Sequence, residues 1–137
     1  MSLLFREYMD IGDASQLNAL QLAYLGDAVW ELIVRYDLMI RRFNVHHMHR
    51  ECVGSVNAGA QAEILRAIQD KLTEAESEIV RRGRNAHPKH ASPKNQDPED
   101  YSAATGFEAL FGYLYLTGQQ ERILEMIKYI KEVKMDV

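Results

Sequence analysis

The sequence predicts an all-α helical bundle in a single domain. Three observations carry that prediction. Apolar residues recur at helical spacing along most of the chain, strand-like alternation with hairpin turn dipeptides is missing, and 137 residues with 47% hydrophobic content suit one compact core.

The elements follow in order. Residues 1–14 are ambiguous. From Asn18 to about Ile40 the pattern is helical, with Leu25, Val29, Leu32, Ile33, Tyr36 and Ile40 at helical spacing and Glu31 and Arg35 as an i,i+4 ion pair. Phe43-Asn44 reads as a connection. Residues 46–72 read as helix again, with Ile64, Leu65, Ile68 and Leu72 on one face. Thr73-Glu74-Ala75-Glu76 has the spacing of a helix start, and that short helix should end near Gly83. Residues 83–98 hold all three prolines and no apolar residue larger than alanine, so they read as a long loop, functional or disordered. Helix resumes near Glu99 and runs to Leu116, and Thr117-Gly118 breaks it. A last amphipathic helix places Ile123, Leu124, Ile127, Ile130 and Val133 on one stripe. No repeat and no second domain are visible.

Composition narrows the class. Cys52 is the only cysteine, which excludes an intrachain disulfide and a cysteine-rich zinc cluster. No N-terminal stretch has signal-peptide order, and no apolar run reaches the length of a membrane span. The chain therefore reads as soluble and cytoplasmic, with no membrane partner. Its net charge of −4 is not that of a general nucleic-acid binder. The distribution says more than the sum. Arg81 to Lys94 holds five Lys/Arg and no acid, and Arg35 to Arg50 holds four Arg, one Asp and three His. Such patches either contact a polyanion locally or stand as solvated basic loops.

Two segments carry the chemistry. Tyr24-Leu25-Gly26-Asp27-Ala28-Val29-Trp30-Glu31-Leu32 places Asp27 inside a helix that otherwise reads as buried. Gly106-Phe107-Glu108-Ala109-Leu110-Phe111-Gly112 places Glu108 in a second such helix. A buried carboxylate is costly unless a cation or a set of donors compensates it. A glycine inside a helix costs about 1 kcal/mol against alanine and usually marks close packing. Crossing the two helices at Gly26 and Gly112 would bring Asp27 and Glu108 together. Two such carboxylates repel unless a cation lies between them, and Mg²⁺ is the natural candidate. The alternative is that each acid caps a helix or pairs with an arginine or a backbone amide. His46, His47 and His49 fall at i, i+1 and i+3, so at most two share a face, and they read as a solvated or RNA-facing patch rather than a metal cluster.

Tyr24-Leu25-Gly26-Asp27-Ala28-Val29 is similar to the signature helix of the ribonuclease III family. Phe107-Glu108-Ala109-Leu110-Phe111-Gly112 resembles its second acidic motif, and Ser55-Val56-Asn57-Ala58 resembles a core helix segment between them. The fit covers residues 15–134. Arg81-Arg82-Gly83-Arg84-Asn85, Pro93-Lys94-Asn95 and Thr105-Gly106-Phe107-Glu108-Ala109 look like the short bacterial branch, mini-ribonuclease III. The resemblance implies the family's helical endonuclease fold over residues 1–137, without the usual double-stranded-RNA-binding domain. It implies a homodimer whose two sites cut opposite strands, which Trp30 and Tyr36 would support as interface residues. It implies Mg²⁺-dependent cleavage of double-stranded RNA to 5′-phosphate and 3′-hydroxyl ends, in a large-subunit ribosomal RNA precursor, with a ribosomal protein or pre-ribosome as a further partner.

The resemblance assigns catalysis and metal binding to Asp27 and Glu108. RNA contacts would come from Arg81, Arg82, Arg84, Asn85, Lys89 and Lys94, and from Arg41, Arg42 and Arg50. The departures matter. The acid expected one turn before Asp27 is Ala23, Leu20 stands where a further glutamate is common, and the acid expected three residues before Glu108 is Thr105. Those losses motivate a rival reading: a catalytically silent RNA-binding or ribosome-assembly factor on the same fold. A helical interaction protein with no nucleic-acid role is a third.

Overall fold

The computed structural model describes residues 7–86 and 96–134. They form seven α-helices: α1 (Ile11–Ser15), α2 (Ala19–Ile40), α3 (Val45–Val56), α4 (Ala58–Ile68), α5 (Glu74–Arg84), α6 (Pro98–Leu116) and α7 (Gln120–Lys134). A short 3-10 turn, Gln69–Lys71, follows α4, and no strand occurs among the described residues. None of these helices is long and apolar enough to cross a membrane.

Side-chain caps set the helix starts. Asn18 and Gln21 form a capping box on α2, and Thr73 and Glu76 form one on α5, as the Thr-x-x-Glu spacing predicts. Asp97 caps α6, whose first residue is Pro98, a position where the missing N–H is harmless. Gly118 closes α6 with φ +72°, and the Gln119 N–H reaches back to the Leu114 carbonyl.

Helix α6 is the core of the bundle. Phe107, Ala109, Leu110, Phe111 and Leu114 are wholly buried, and α2, α4, α5 and α7 pack around them. The Trp30 ring meets Phe107 edge-on at 5.0 Å and Phe111 at 5.5 Å, while its indole N–H donates to the Ser55 carbonyl. Trp30 is therefore a core residue, 5% exposed, and not an interface residue as the sequence suggested.

Three other expectations are corrected. Residues 46–72 are not one helix. Asn57 is extended at φ −73°, ψ 161°, ending α3 and starting α4. Its side chain accepts from the Ala60 N–H and donates to the Val53 and Gly54 carbonyls, so one amide caps both helices. Ser55-Val56-Asn57-Ala58 is thus a helix junction rather than a core helix segment. On α7 the buried stripe is Ile123, Met126 and Ile130, while Leu124 and Val133 face outward. On α2 the buried side is Leu22, Ala23, Gly26, Val29, Trp30, Val34 and Leu38. Leu32, Tyr36, Met39 and Ile40 are exposed, which leaves an apolar strip on the outer side.

A buried ion pair ties α5 to α7. Arg122 donates to both carboxylate oxygens of Glu76 at 2.8 Å and to the Lys71 carbonyl. Burial alone would raise the Glu76 carboxyl, but hydrogen bonds from Arg122 and Thr73 outweigh it and the net is a lowered pKa.

Candidate active site

Helices α2 and α6 cross backbone to backbone. A Cβ added to Gly26 would sit 1.6 Å from the Glu108 carbonyl oxygen, and one added to Gly112 would sit 1.9 Å from that of Leu22. Only glycine at both positions permits this approach. The crossing places Asp27, the next residue along α2, beside Glu108, one turn before Gly112 on α6.

The two acids differ in setting. Glu108 is partly buried, whereas Asp27 is exposed, which corrects the expectation of a buried acid. Successive helical residues turn by about 100°, so with Gly26 pressed on α6 the Asp27 side chain emerges at the rim of the contact. Burial pushes the Glu108 carboxyl from 4.5 up to about 8. The Asp27 charge and a hydrogen bond to Asp27 add to the rise, and a hydrogen bond from Gln61 opposes it. Without a cation, the pair therefore holds one proton until the pH approaches 8. No arginine pairs with either acid among the described residues, and the Gln61 amide donates to Glu108 at 3.4 Å. A hard cation bound by few carboxylates and several waters, such as Mg²⁺, suits this donor set.

The same imbalance makes a stability prediction. In metal-free protein the unfolded chain ionises Glu108 near 4.5, whereas the folded chain does so near 8. The contribution of Glu108 to stability is thus full below about pH 4.5 and is lost as pH rises toward and through 8. Glu108→Gln cannot ionise, so with a chelator present it should exceed wild type by on the order of 2 kcal/mol at pH 8.5, after allowance for solvent relaxation. The gain should vanish at pH 4. Urea unfolding at the two pH values reads the difference, and equal stabilities at pH 8.5 would contradict it.

The positions expected to carry further acids are filled otherwise. Ala23 is buried in the core, and the buried Thr105 hydroxyl donates to the Tyr101 carbonyl at 3.0 Å. Among the described residues no three His, Cys, Asp or Glu side chains converge on a common point. His47 pairs with Glu51 at 3.5 Å and stacks on Phe43, with the Arg41 guanidinium 4.7 Å from the centre of the Phe43 ring.

The basic residues have varied partners. Arg81 is paired with Glu78, and Arg41 with Asp37. Arg82 donates to the carbonyls of Ser15 and Leu17, so its guanidinium ties α5 to the link before α2. Arg84 packs against α6 at Gly106, where Gly83 lets α5 approach. Asn85 is the C-cap of α5, Arg42 adopts φ 64°, and Arg50 is exposed on α3. Lys89 and Lys94 lie outside the described residues. Gly106 and Glu108 are two residues apart, about 200° around the helix, so the α5 cluster flanks α6 on a different side from the acids.

Two polar residues that link α4 to α6 escaped the sequence reading. Gln61 is one; its place three, four and seven residues before Ile64, Leu65 and Ile68 puts it on their buried stripe, and a polar residue on such a stripe is the signal. Arg66 is the other. It bridges α4 to Asp100 at the start of α6 at 2.7 Å, a long-range pair with no local sequence signature.

An all-helical bundle with an acid from each of two glycine-crossed helices defines a class. The Ribonuclease III domain family matches residues 20–119, and the chain belongs to the ribonuclease III family of endoribonucleases. Enzymes of this family generally use divalent metal ions. More particularly, the chain is 49% identical over 121 residues to a mini-ribonuclease 3 of Symbiobacterium thermophilum, covering 88% of this chain and 92% of the relative. It is 44% identical to one from Enterococcus faecalis over 125 residues, 88% of this chain and 94% of that one. The crystal structure of a Fusobacterium nucleatum protein is similar at TM-score 0.78 and 30% identity, covering 91% of this chain and 98% of that one.

Proposed function

We propose that this endoribonuclease is a cytoplasmic, homodimeric, Mg²⁺-dependent enzyme that hydrolyses double-stranded RNA, and that it matures a large-subunit ribosomal RNA precursor in association with pre-ribosomal particles. The observation that carries the reading is the Asp27–Glu108 pair at the α2–α6 crossing, which has no cationic partner among the described residues. The mini-ribonuclease 3 relatives support the choice of substrate class.

Asp27 and Glu108 would hold the metal. Bound there, Mg²⁺ supplies charge neutralisation at the scissile phosphate and activation of the attacking water. The chain does the rest. Glu108, fixed in the α2–α6 contact, is the rigid ligand. Asp27, at the exposed rim, faces the side from which RNA arrives. Water attacks phosphorus, the 3′-oxygen leaves, and the products carry 5′-phosphate and 3′-hydroxyl ends.

The test is incubation with a double-stranded RNA in Mg²⁺ or in a chelator. Metal-dependent cleavage to those ends supports the proposal. Binding without cleavage would refute it.

RNA affinity is assigned to the basic cluster at the end of α5. Double-stranded RNA is held mainly by phosphate and 2′-hydroxyl contacts. Arg82 is held by two backbone carbonyls, whereas Arg81 is paired with the exposed Glu78 carboxylate and can exchange it for a phosphate, so Arg81 and Arg84 are the members better placed to meet phosphates. Arg81→Ala with Arg84→Ala should weaken binding and lower the salt slope by about two, roughly one unit for each phosphate no longer neutralised. An unchanged slope would remove the assignment.

The dimer draws support from the exposed strip on α2. Ala28, Leu32, Tyr36 and Met39 succeed one another at helical spacing, and the last three are more than half exposed. Contiguous apolar surface of this kind marks interaction sites. Sedimentation at micromolar concentration should show a dimer, and Tyr36→Asp should shift it toward monomer. A wild-type monomer under those conditions would refute this part.

A further inference from the structure

We propose that Gln61 is a positioning residue: its side-chain amide fixes Glu108 in the orientation that lets it share a cation with Asp27. This rests on the metal reading above. Gln61 lies on α4 and is 1% exposed, surrounded by the apolar stripe of Ala62, Ile64, Leu65 and Ile68. Burying a primary amide is unfavourable unless its polar atoms find partners. Here the Nε2 donates across the α4–α6 interface to Glu108 Oε2 at 3.4 Å.

The residue type suits that task. A lysine or arginine would cancel one of the two charges and repel a cation. A carboxylate would add a third charge to two that already repel, and a hydrocarbon would leave Oε2 without this donor. A neutral amide satisfies one oxygen, leaves the rest of the carboxyl turned to Asp27, and adds no charge to the pair. Its importance is raised by what stands nearby. Ala23 offers no ligand, and the Thr105 hydroxyl is engaged with the Tyr101 carbonyl. With two acids present, the placement of each counts for more. An unrestrained glutamate has three side-chain torsions, and only the fraction of conformers meeting Asp27 would bind tightly.

Gln61→Met keeps the length and apolar bulk of the side chain and removes the amide. Mn²⁺ binding, followed by electron paramagnetic resonance, should weaken about tenfold, and kcat should fall by a similar factor, as is usual when a residue orienting a metal ligand is removed. KM for double-stranded RNA should stay within about twofold, because Gln61 is too buried to touch it. A purely structural role would alter stability without a selective loss of metal affinity. Should Gln61→Met fail to fold, the wild type carries the test. Its Gln61 side-chain amide signals in nitrogen-15 spectra should move on addition of Mg²⁺, and should not move in Asp27→Asn. Wild type and Gln61→Met binding Mn²⁺ equally, or amide signals indifferent to Mg²⁺, would overturn the role of Gln61 alone. A wild type that binds no Mn²⁺ would overturn the metal reading and this inference together.

Discussion

Asp27→Asn should abolish cleavage while leaving the fold and RNA binding intact. The substitution replaces one carboxylate oxygen by an amide nitrogen, with almost no change in shape. Asp27 is exposed, so nothing in the core depends on it. Its charge instead pushes against Glu108. Above about pH 8, where Glu108 ionises, removing that charge relieves the metal-free protein and should leave its stability equal or slightly higher. The cost falls on the metal. With Ala23 and Thr105 in place of further acids, two carboxylates do the work, and losing one removes half of the charge that attracts the ion. Loss of metal-centred charge stabilisation and water activation should lower single-turnover cleavage by about 10³-fold or more. RNA affinity should hold or improve, since a negative charge has left a surface meeting phosphates. Cleavage and filter-binding assays on the same preparation separate the two effects. Activity within tenfold of wild type would sink the role assigned to Asp27.

Gly26→Ala should have the largest effect on stability. The added Cβ would fall 1.6 Å from the Glu108 carbonyl oxygen and 2.5 Å from its carbonyl carbon. Both are backbone atoms inside a helix, so no rotamer change relieves the clash. The helices must move apart along the principal contact of the bundle, opening gaps beside Trp30, Phe107 and Phe111. Overpacking typically costs about 1–3 kcal/mol where side chains can shift. Here they cannot, and a loss of about 4 kcal/mol or more is expected, a large share of the about 5–15 kcal/mol that holds a domain together. Gly112→Ala should behave alike. Gly54→Ala is the control: nothing lies within 4 Å of its added Cβ, and its place within α3 predicts a gain of about 0.5–1 kcal/mol. Urea midpoints rank the three. A Gly26→Ala protein within about 1 kcal/mol of wild type would mean that the two backbones can separate at little cost.

The parts of this arrangement visible in the sequence are those with local causes. A glycine amid large apolar residues has few explanations, so Gly26 and Gly112 pointed to a helix crossing and brought their neighbouring acids with them. Thr73 and Glu76 announced a helix start because both halves of a capping box lie within one turn. What the sequence hid depends on neighbours distant along the chain. Leu32, Tyr36 and Ile40 look like core by periodicity, yet the bundle covers the other side of α2. Asp27 looked buried for the same reason. The break at Asn57 was invisible because asparagine is tolerated within helices, and its double capping depends on its extended backbone. Arg82 read as an RNA contact because it belongs to a basic run; the carbonyls that engage it lie at Ser15 and Leu17.

Everything proposed for the site requires that the glycine crossing place Asp27 and Glu108 where one cation meets both. Anomalous scattering from a crystal of the wild-type protein soaked in Mn²⁺ tests it most directly. A peak is expected within coordination distance of both carboxylates, about 2.0–2.4 Å, and should be lost in Asp27→Asn. No peak between the two acids, in a crystal of protein that cleaves RNA in the same Mn²⁺ concentration, would contradict it.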